Sequence, residues 1–316
     1  MNQDKTTICF SKNVEEDTKN AIQARLNIPE IKEFEKYLGM SSFVGRNKKA
    51  SVSNIKERVW RVIQGWGEKM LSQAGKEILI KAVAQAIPTY VMSCFRLPTS
   101  LCKDLEIMIR KFWWGGDDRR HKIHWVNWER LCKPKFGGGL GFRNIKKFNE
   151  ALLAKQFWRL LNNSSSLAYK VFQHRFFKEG NILKLNDQAK GSYAWNSIKG
   201  VKHLIEVGSR WQIGRGNKVK IWGDPWLPNS HTHKVQSPIS HLPHDAKVEE
   251  LIDWENMRWR DDLIDQIFWL EEATLIKKIP LSDRKPPDRL IWAESKDGKY
   301  TVRSAYQTAL AREEAN

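Results

Sequence analysis

The sequence is poor in the devices that most often announce a function. Its 316 residues contain four cysteines, Cys9, Cys94, Cys102 and Cys132, and no two of them form a C-x-x-C pair. That spacing argues against both a disulfide framework and a paired-cysteine zinc site. The first ten residues, MNQDKTTICF, hold no apolar h-region, so a secretory leader is not expected. No apolar run of 18 residues offers a membrane span. There is no G-x-S-x-G elbow, and the glycine run at 137–141 is not closed by Gly-Lys-Ser/Thr, which removes the nucleophile-elbow and phosphate-loop readings. The expectation is an intracellular chain, nuclear or cytoplasmic, with reduced thiols and no membrane partner.

Acidic residues are scarce over most of the length. Residues 1–150 carry 28 Lys and Arg against 16 Asp and Glu, and residues 151–235 carry 14 against 4, while residues 236–316 reverse the balance with 12 against 16. A body of +22 followed by a tail of −4 gives the net +18. Solubility does not require such asymmetry, and a polyanion such as RNA or DNA is the partner it suits. Fifteen tryptophans add large amphipathic rings that serve cores and also stack on bases.

What is present in strength is helical periodicity. Ile55, Val59, Val62, Ile63 and Trp66 recur every three or four residues and predict one apolar helix face, with Ser53 as its N-cap. Ser72 to Gly75 form a joint. Ile78, Leu79, Ala82, Val83, Ala86 and Ile87 predict a second inward face, ended or kinked by Pro88. Lys56, Arg58, Arg61, Lys69, Lys76 and Lys81 occupy the remaining surface, so this pair is expected to pack inward and meet an anion outward; an ordinary solvated face is the alternative. Thr99 can cap a third helix carrying Leu101, Leu105, Met108, Ile109 and Phe112. The segment KPKFGGGLGFRN, 133–144, reads as a tight turn against the core.

Further helices are expected over 145–161, 167–177 and 195–205. Strands are expected at 5–10 and 34–40. Two hairpins are also expected: Trp211 and Ile213 with Val219 and Ile221, and Leu290 and Trp292 with Tyr300 and Val302. The polar stretch 229–244 reads as a linker. The fold class is mainly α with small β elements. His121, His124 and Cys132, and the histidines at 231, 233, 241 and 244, lack structural-zinc spacing. Asp117-Asp118 and Asp261-Asp262 look solvated. No catalytic residue and no metal ligand is assigned.

Several stretches resemble, in order, the C-terminal part of the reverse transcriptase of plant LINE-type (non-LTR) retrotransposons: KTTICFSKN (5–13), YLGM (37–40), the segment 66–98, FWWGG (112–116), HWVNWERLCKPKFGGGLGFRN (124–144), NEALLAKQFWRLL (149–161), RWQIGRGNKVKIWGDPWLP (210–228) and SKDGKYTVRSAY (295–306). The resemblance implies a palm-edge remnant over 1–45 and a thumb-like helix bundle over 46–116. A Trp-rich basic α+β connection region over 117–235 and an acidic tail over 236–316 would come next, the tail opening a truncated zinc-binding region. It implies an RNA-directed DNA polymerase whose thumb grips an RNA template and DNA primer through Lys56, Arg58, Arg61, Lys69, Lys76 and Lys81. The family's aromatic-x-Asp-Asp motif is not found in this chain, and neither are the Cys and His ligands of its zinc module. The expectation is therefore a fragment without polymerase activity of its own, holding neither the family's magnesium nor zinc. A stand-alone nucleic-acid-binding or structural protein derived from the element, or decayed coding sequence, are the alternatives.

Overall fold

Helices dominate the computed structural model, which is 56% helical with a few short strands; the chain is mainly α with small β elements. The structure describes residues 8, 10, 13–28, 48–67, 71–115, 123–177, 182–184, 191–228 and 232–315. The strand expected at 34–40 lies outside them, as does most of the one at 5–10. The chain divides into two compact units, Met1–Asn149 and Glu150–Asn316.

In the first unit, α1 (Glu16–Leu26) is succeeded by α2 (Lys48–Gly67), which buries Ile55, Val59 and Ile63 and leaves Val62 and Trp66 half-covered. The helix begins five residues before Ser53, which is therefore an interior residue and not the cap. Ser72 does cap α3 (Gln73–Leu79), accepting the Gly75 N–H at 3.2 Å. A π-helical turn, Ile80–Ala84, then changes the register, with the Gln85 N–H donating to the Ile80 carbonyl at 2.9 Å. One extra residue in that turn rotates everything after it. Ile80, Ala84 and Gln85 are buried, whereas Ile78, which precedes the turn, and Ala82 and Ala86 are exposed; the inward face is displaced from the expected one before the turn begins. Pro88 ends the segment, and α4 (Thr89–Cys94) starts directly after it.

The third long helix, α5 (Thr99–Trp114), buries Leu101, Cys102, Leu105, Ile109, Phe112 and Trp113 and packs against α2 and α3. Pro98 holds its N-cap position without a side-chain bond, so Thr99 opens the helix but does not cap it. A short helix, α6 (Trp128–Cys132), leads to a 3-10 turn at Lys135–Gly137 and then to α7 (Ile145–Asn162). Two side chains cap α7: Asn144 accepts from the Lys147 N–H at 3.0 Å, and Glu106 of α5 accepts from the Ile145 N–H at 2.9 Å. Buried Asn149 ties the irregular 95–97 segment down. Its Oδ1 accepts from the Leu97 N–H at 2.8 Å, and its Nδ2 donates to the Met92 and Phe95 carbonyls at 2.7 and 2.9 Å.

In the second unit, α8 (Leu167–Phe176), capped by Ser166, sets Phe172, Phe176 and Phe177 around fully buried Trp195 of α9 (Tyr193–Lys199). The helix α10 (Lys202–Gly208) feeds β1 (Ser209–Gln212). Here the structure departs from both expected hairpins. The strand β1 pairs antiparallel with β4 (Arg289–Trp292), with Ser209 opposite Trp292 and Gln212 opposite Arg289. Val219 and Ile221 are core residues with no exposure, and they form no strand against β1. The Ser295–Gly298 turn does form, the Trp292 N–H donating to the Gly298 carbonyl at 2.9 Å. Val302, however, opens the helix α13 (Val302–Ala315), with the Thr301 hydroxyl accepting the Ser304 N–H at 3.1 Å.

The cause of the first departure is a single carboxylate. Buried Asp288 accepts from the backbone N–H groups of Gly214, Gly216 and Lys218 at 2.7, 2.8 and 2.9 Å. It thereby fastens the loop after β1 to the residue before β4. Gly216 sits at φ +76 with no room for a Cβ against the Glu249 backbone, so only glycine completes the loop.

The stretch 232–244 is likewise bound into its unit. Buried Glu272, on α12 (Leu270–Lys277), accepts from the backbone N–H groups of Gln236 and Ser237 at 2.7 and 3.0 Å and from the Ser237 hydroxyl. The Ser237 hydroxyl oxygen in turn accepts the Trp269 N–H at 2.9 Å. A polar, proline-containing composition reads as a linker, but its amides have a buried acceptor. Between these segments lie β2 (Ile252–Asp253), β3 (Arg258–Trp259) and α11 (Asp261–Ile267).

Replacing Asp288 by Ala is expected to leave three backbone N–H groups without their acceptor, at a cost of about 3 kcal/mol given the strength of charge-assisted bonds. A urea denaturation series checks this. The midpoint should fall in the variant, and a midpoint equal to that of the parent would show that water replaces the carboxylate.

Candidate functional site

The six cations singled out from the sequence belong to the first unit, and the structure gives them different surroundings. Arg58 and Arg61 are exposed on α2, away from its buried Ile55, Val59 and Ile63. Among the described residues neither has an ion-pair partner. Lys56 sits at the seam of α2 and α5, with its ammonium 2.7 Å from Asp104 Oδ2. Lys69 lies outside the described residues. Lys76 is half-buried, its ammonium 5.7 Å from the centre of the Phe112 ring.

Lys81 leads to a feature that the periodicity did not reveal. Its Nζ is 2.7 Å from Glu77 Oε1, one helical turn back, and the same oxygen lies 2.8 Å from Lys135 Nζ. One carboxylate thus joins the π-helical segment to the glycine-rich loop. Lys81 also faces the Phe142 ring at 5.9 Å, and a Cβ on Gly141 would stand 3.7 Å from its ammonium. Hydrogen bonds from Lys135 and then Lys81 hold the Glu77 carboxyl below the usual carboxylate range.

The loop itself is held closely. The Leu140 and Gly141 N–H groups donate to the Leu131 and Lys133 carbonyls at 3.0 and 2.8 Å, and those of Gly137 and Gly139 donate to the Pro134 carbonyl at 2.9 and 3.1 Å. Gly138 takes φ +77, and a Cβ on Gly139 would lie 2.1 Å from the Lys133 carbonyl oxygen. Inward, Phe142 is buried, stacked on Trp128 and edge-on to Trp113. Outward, Phe136 is 96% exposed. Asn127, Glu129, Arg130, Lys133 and Gly137 line an open groove of about 410 Å³ beside it. The lysines flanking the glycine run were the signal in the sequence; reading the run only as a turn passed over what it presents.

Among the described residues no group of three His, Cys, Asp or Glu side chains is placed to hold an ion. His121, His231, Asp117 and Asp118 lie outside them. The His124 ring stacks on Trp114 at 6.1 Å. Burial first, and then the carboxylates of Glu106 and Glu129, push the Cys132 thiol far above its ordinary range, so it is a protonated packing group. Nδ1 of His233 lies 3.0 Å from the Leu227 carbonyl. Asp261 and Asp262 are exposed in the first turn of α11, where negative charge complements the helix dipole. No helix of the described residues is long and apolar enough to cross a membrane.

Comparison with known proteins places the chain in a family. No protein-family model matches the chain. It is 41% identical over 143 residues to the "Uncharacterized mitochondrial protein AtMg00310" of Arabidopsis thaliana, a match covering 45% of this chain and 93% of that protein. The chain belongs to the family of that protein. It is also 33% identical over 273 residues to the "Putative ribonuclease H protein At1g65750" of the same plant, covering 83% of this chain. The chain spans 43% of the length of that second relative.

A titration checks the Glu77 bridge. Because its carboxyl is depressed in the folded state, Glu77 contributes stability that is present above the ordinary carboxylate range and lost as pH falls through the lowered folded value. Urea denaturation from about pH 6 down to about pH 3 should show that loss in the parent and a flatter profile in Glu77→Gln. Identical profiles would show that the two lysines do not depend on the carboxylate.

Proposed function

We propose that this chain is a segment of a retroelement RNA-directed DNA polymerase and contributes binding of the template–primer duplex. The observation that carries the reading is the pair Arg58 and Arg61, exposed on the side of α2 away from its buried apolar face. Two further facts support it: the +22 charge of residues 1–235, and the relative described as a ribonuclease H protein, a name that denotes action on nucleic acid, which matches 83% of the chain. The helices of residues 46–116 act as the thumb, and Trp-rich residues 117–235 form the connection region. The role is binding, with no metal or cofactor of the chain's own.

The six cations divide by what they already hold. Arg58 and Arg61 meet phosphate directly; Lys69 lies outside the described residues. Lys56 exchanges Asp104 for phosphate at little cost, because an exposed ion pair is worth about 0–1 kcal/mol. Lys76 and Lys81, half-buried over Phe112 and Phe142, support the surface from below. One observation favours a second reading, a nucleic-acid-binding segment that stands as its own chain: the match to AtMg00310 takes in 93% of that protein within 143 residues.

Both readings meet the same experiment. Fluorescence anisotropy with blunt DNA and RNA–DNA duplexes across a salt series should show binding that weakens linearly in log salt, and scrambled duplexes should bind equally. Arg58→Gln and Arg61→Gln together should flatten the slope by about two units, since each phosphate contact releases about one counterion. Both side chains are exposed, so the circular dichroism spectrum should not change. A slope equal to that of the parent would leave this face a solvated surface and defeat the proposal.

A further inference from the structure

We infer that the glycine-rich loop at 133–141 is a stacking platform for an unpaired base, so that the first unit takes single-stranded nucleic acid beside the duplex. The inference rests on the proposed binding function and adds a second contact, of different chemistry, to it.

The observation is an aromatic ring held in solvent. Phe136 is 96% exposed on a closely held loop. The 3-10 turn, the left-handed Gly138 and the contact of Gly139 with the Lys133 carbonyl fix the backbone around it. Phe142, six residues on, fills the apolar side of the same loop and stacks on Trp128. The sequence thus supplies one phenylalanine for the core and one for the solvent. Trp125 is also 77% exposed. Each of these rings lies within two residues of a groove-lining residue, Trp125 before Asn127 and Phe136 before Gly137.

Charge identifies the occupant. From Arg130 to Lys147 the chain carries six cations and no carboxylate; two of them, Arg130 and Lys133, line the groove, where the one carboxylate is that of Glu129, so the lining keeps an excess of positive charge. A nucleotide offers an anion and a π face on one short unit, which is the pair of groups presented here. An acidic peptide matches the cations but leaves the rings unused. A duplex keeps its π faces inside the stack, so its phosphates can meet Arg130 and Lys133 but its bases cannot meet Phe136. The ring therefore selects unpaired strand, such as an overhang or a displaced end.

The test compares one duplex in two forms, blunt and with a short single-stranded extension, by fluorescence anisotropy on the full chain. The extended form should bind more tightly than the blunt form. Phe136→Ala should remove about fivefold or more of that advantage, the lower range for base–aromatic stacking, while blunt-duplex affinity and its salt slope stay the same. Phe136→Trp should keep the advantage. Since Phe136 lies outside the core, the circular dichroism spectra should coincide. If neither form binds with salt dependence, the proposed function itself fails. If blunt duplex binds but the extension adds nothing, or adds an advantage that survives Phe136→Ala, the platform is overturned and the binding function stands. Oligoglutamate binding with the same dependence on Phe136 would also overturn it, because the loop would then be a docking site for acidic peptide.

Discussion

Buried backbone N–H groups must have acceptors, and at several points where the backbone leaves regular structure that constraint is met by a few side chains. Asp288 does so for three N–H groups of one loop. Glu272 does so for residues 236 and 237, and Asn149 for the segment between α4 and α5. Gln85 pairs with both the N–H and the carbonyl of Arg143. These are four of the eight buried polar side chains among the described residues. The strand pairing of the second unit and the seating of the glycine-rich loop in the first both depend on them. A fold assembled from short helices and irregular connections has few ladder bonds to offer, and buried polar side chains take their place.

The cationic surface obeys a similar logic of partners. A count of lysines and arginines treats all positive charge alike, but the structure sorts it. Glu77 occupies Lys81 and Lys135, Asp104 occupies Lys56, and aromatic rings lie under Lys76 and Lys81. Arg58 and Arg61 remain open to solvent. The carboxylates in this unit do more than dilute its charge, since they decide which cations are held in place and which are available.

The sequence disclosed the long elements and concealed the pairings. The faces of α2 and α5 were legible because Ile55, Val59, Ile63, Leu105, Ile109 and Phe112 keep a helical period without interruption. The second face is displaced from the expected one: Ile78, ahead of the π turn, is already exposed and Ile80 buried, and no residue type marks either that offset or the turn that follows it. Trp211 and Leu290 face each other, although 78 intervening residues make that pairing invisible to any local reading. The nearer candidates Val219 and Ile221 alternate correctly but belong to the core. The site was legible as positively charged and not as arranged, because the Glu77–Lys135 bridge joins segments far apart in sequence, and which of Phe136 and Phe142 faces the core is decided by the local loop backbone.

The π turn can also be read in terms of insertion and deletion. A helix that carries one residue beyond its regular repeat behaves as a helix with a stored insertion. Losing one residue within 80–84 would return that turn to the α-helical repeat and rotate the residue that enters the 85–88 turn by about a quarter of a revolution or slightly more, the angle per residue of an α-helix. Val91 and Met92, now buried on α4, keep their places only if the turn ending at Pro88 absorbs that rotation. The single extra residue therefore couples the length of one helical turn to the packing of the next helix, and the register of α4 sets the number of residues between Ser72 and Pro88.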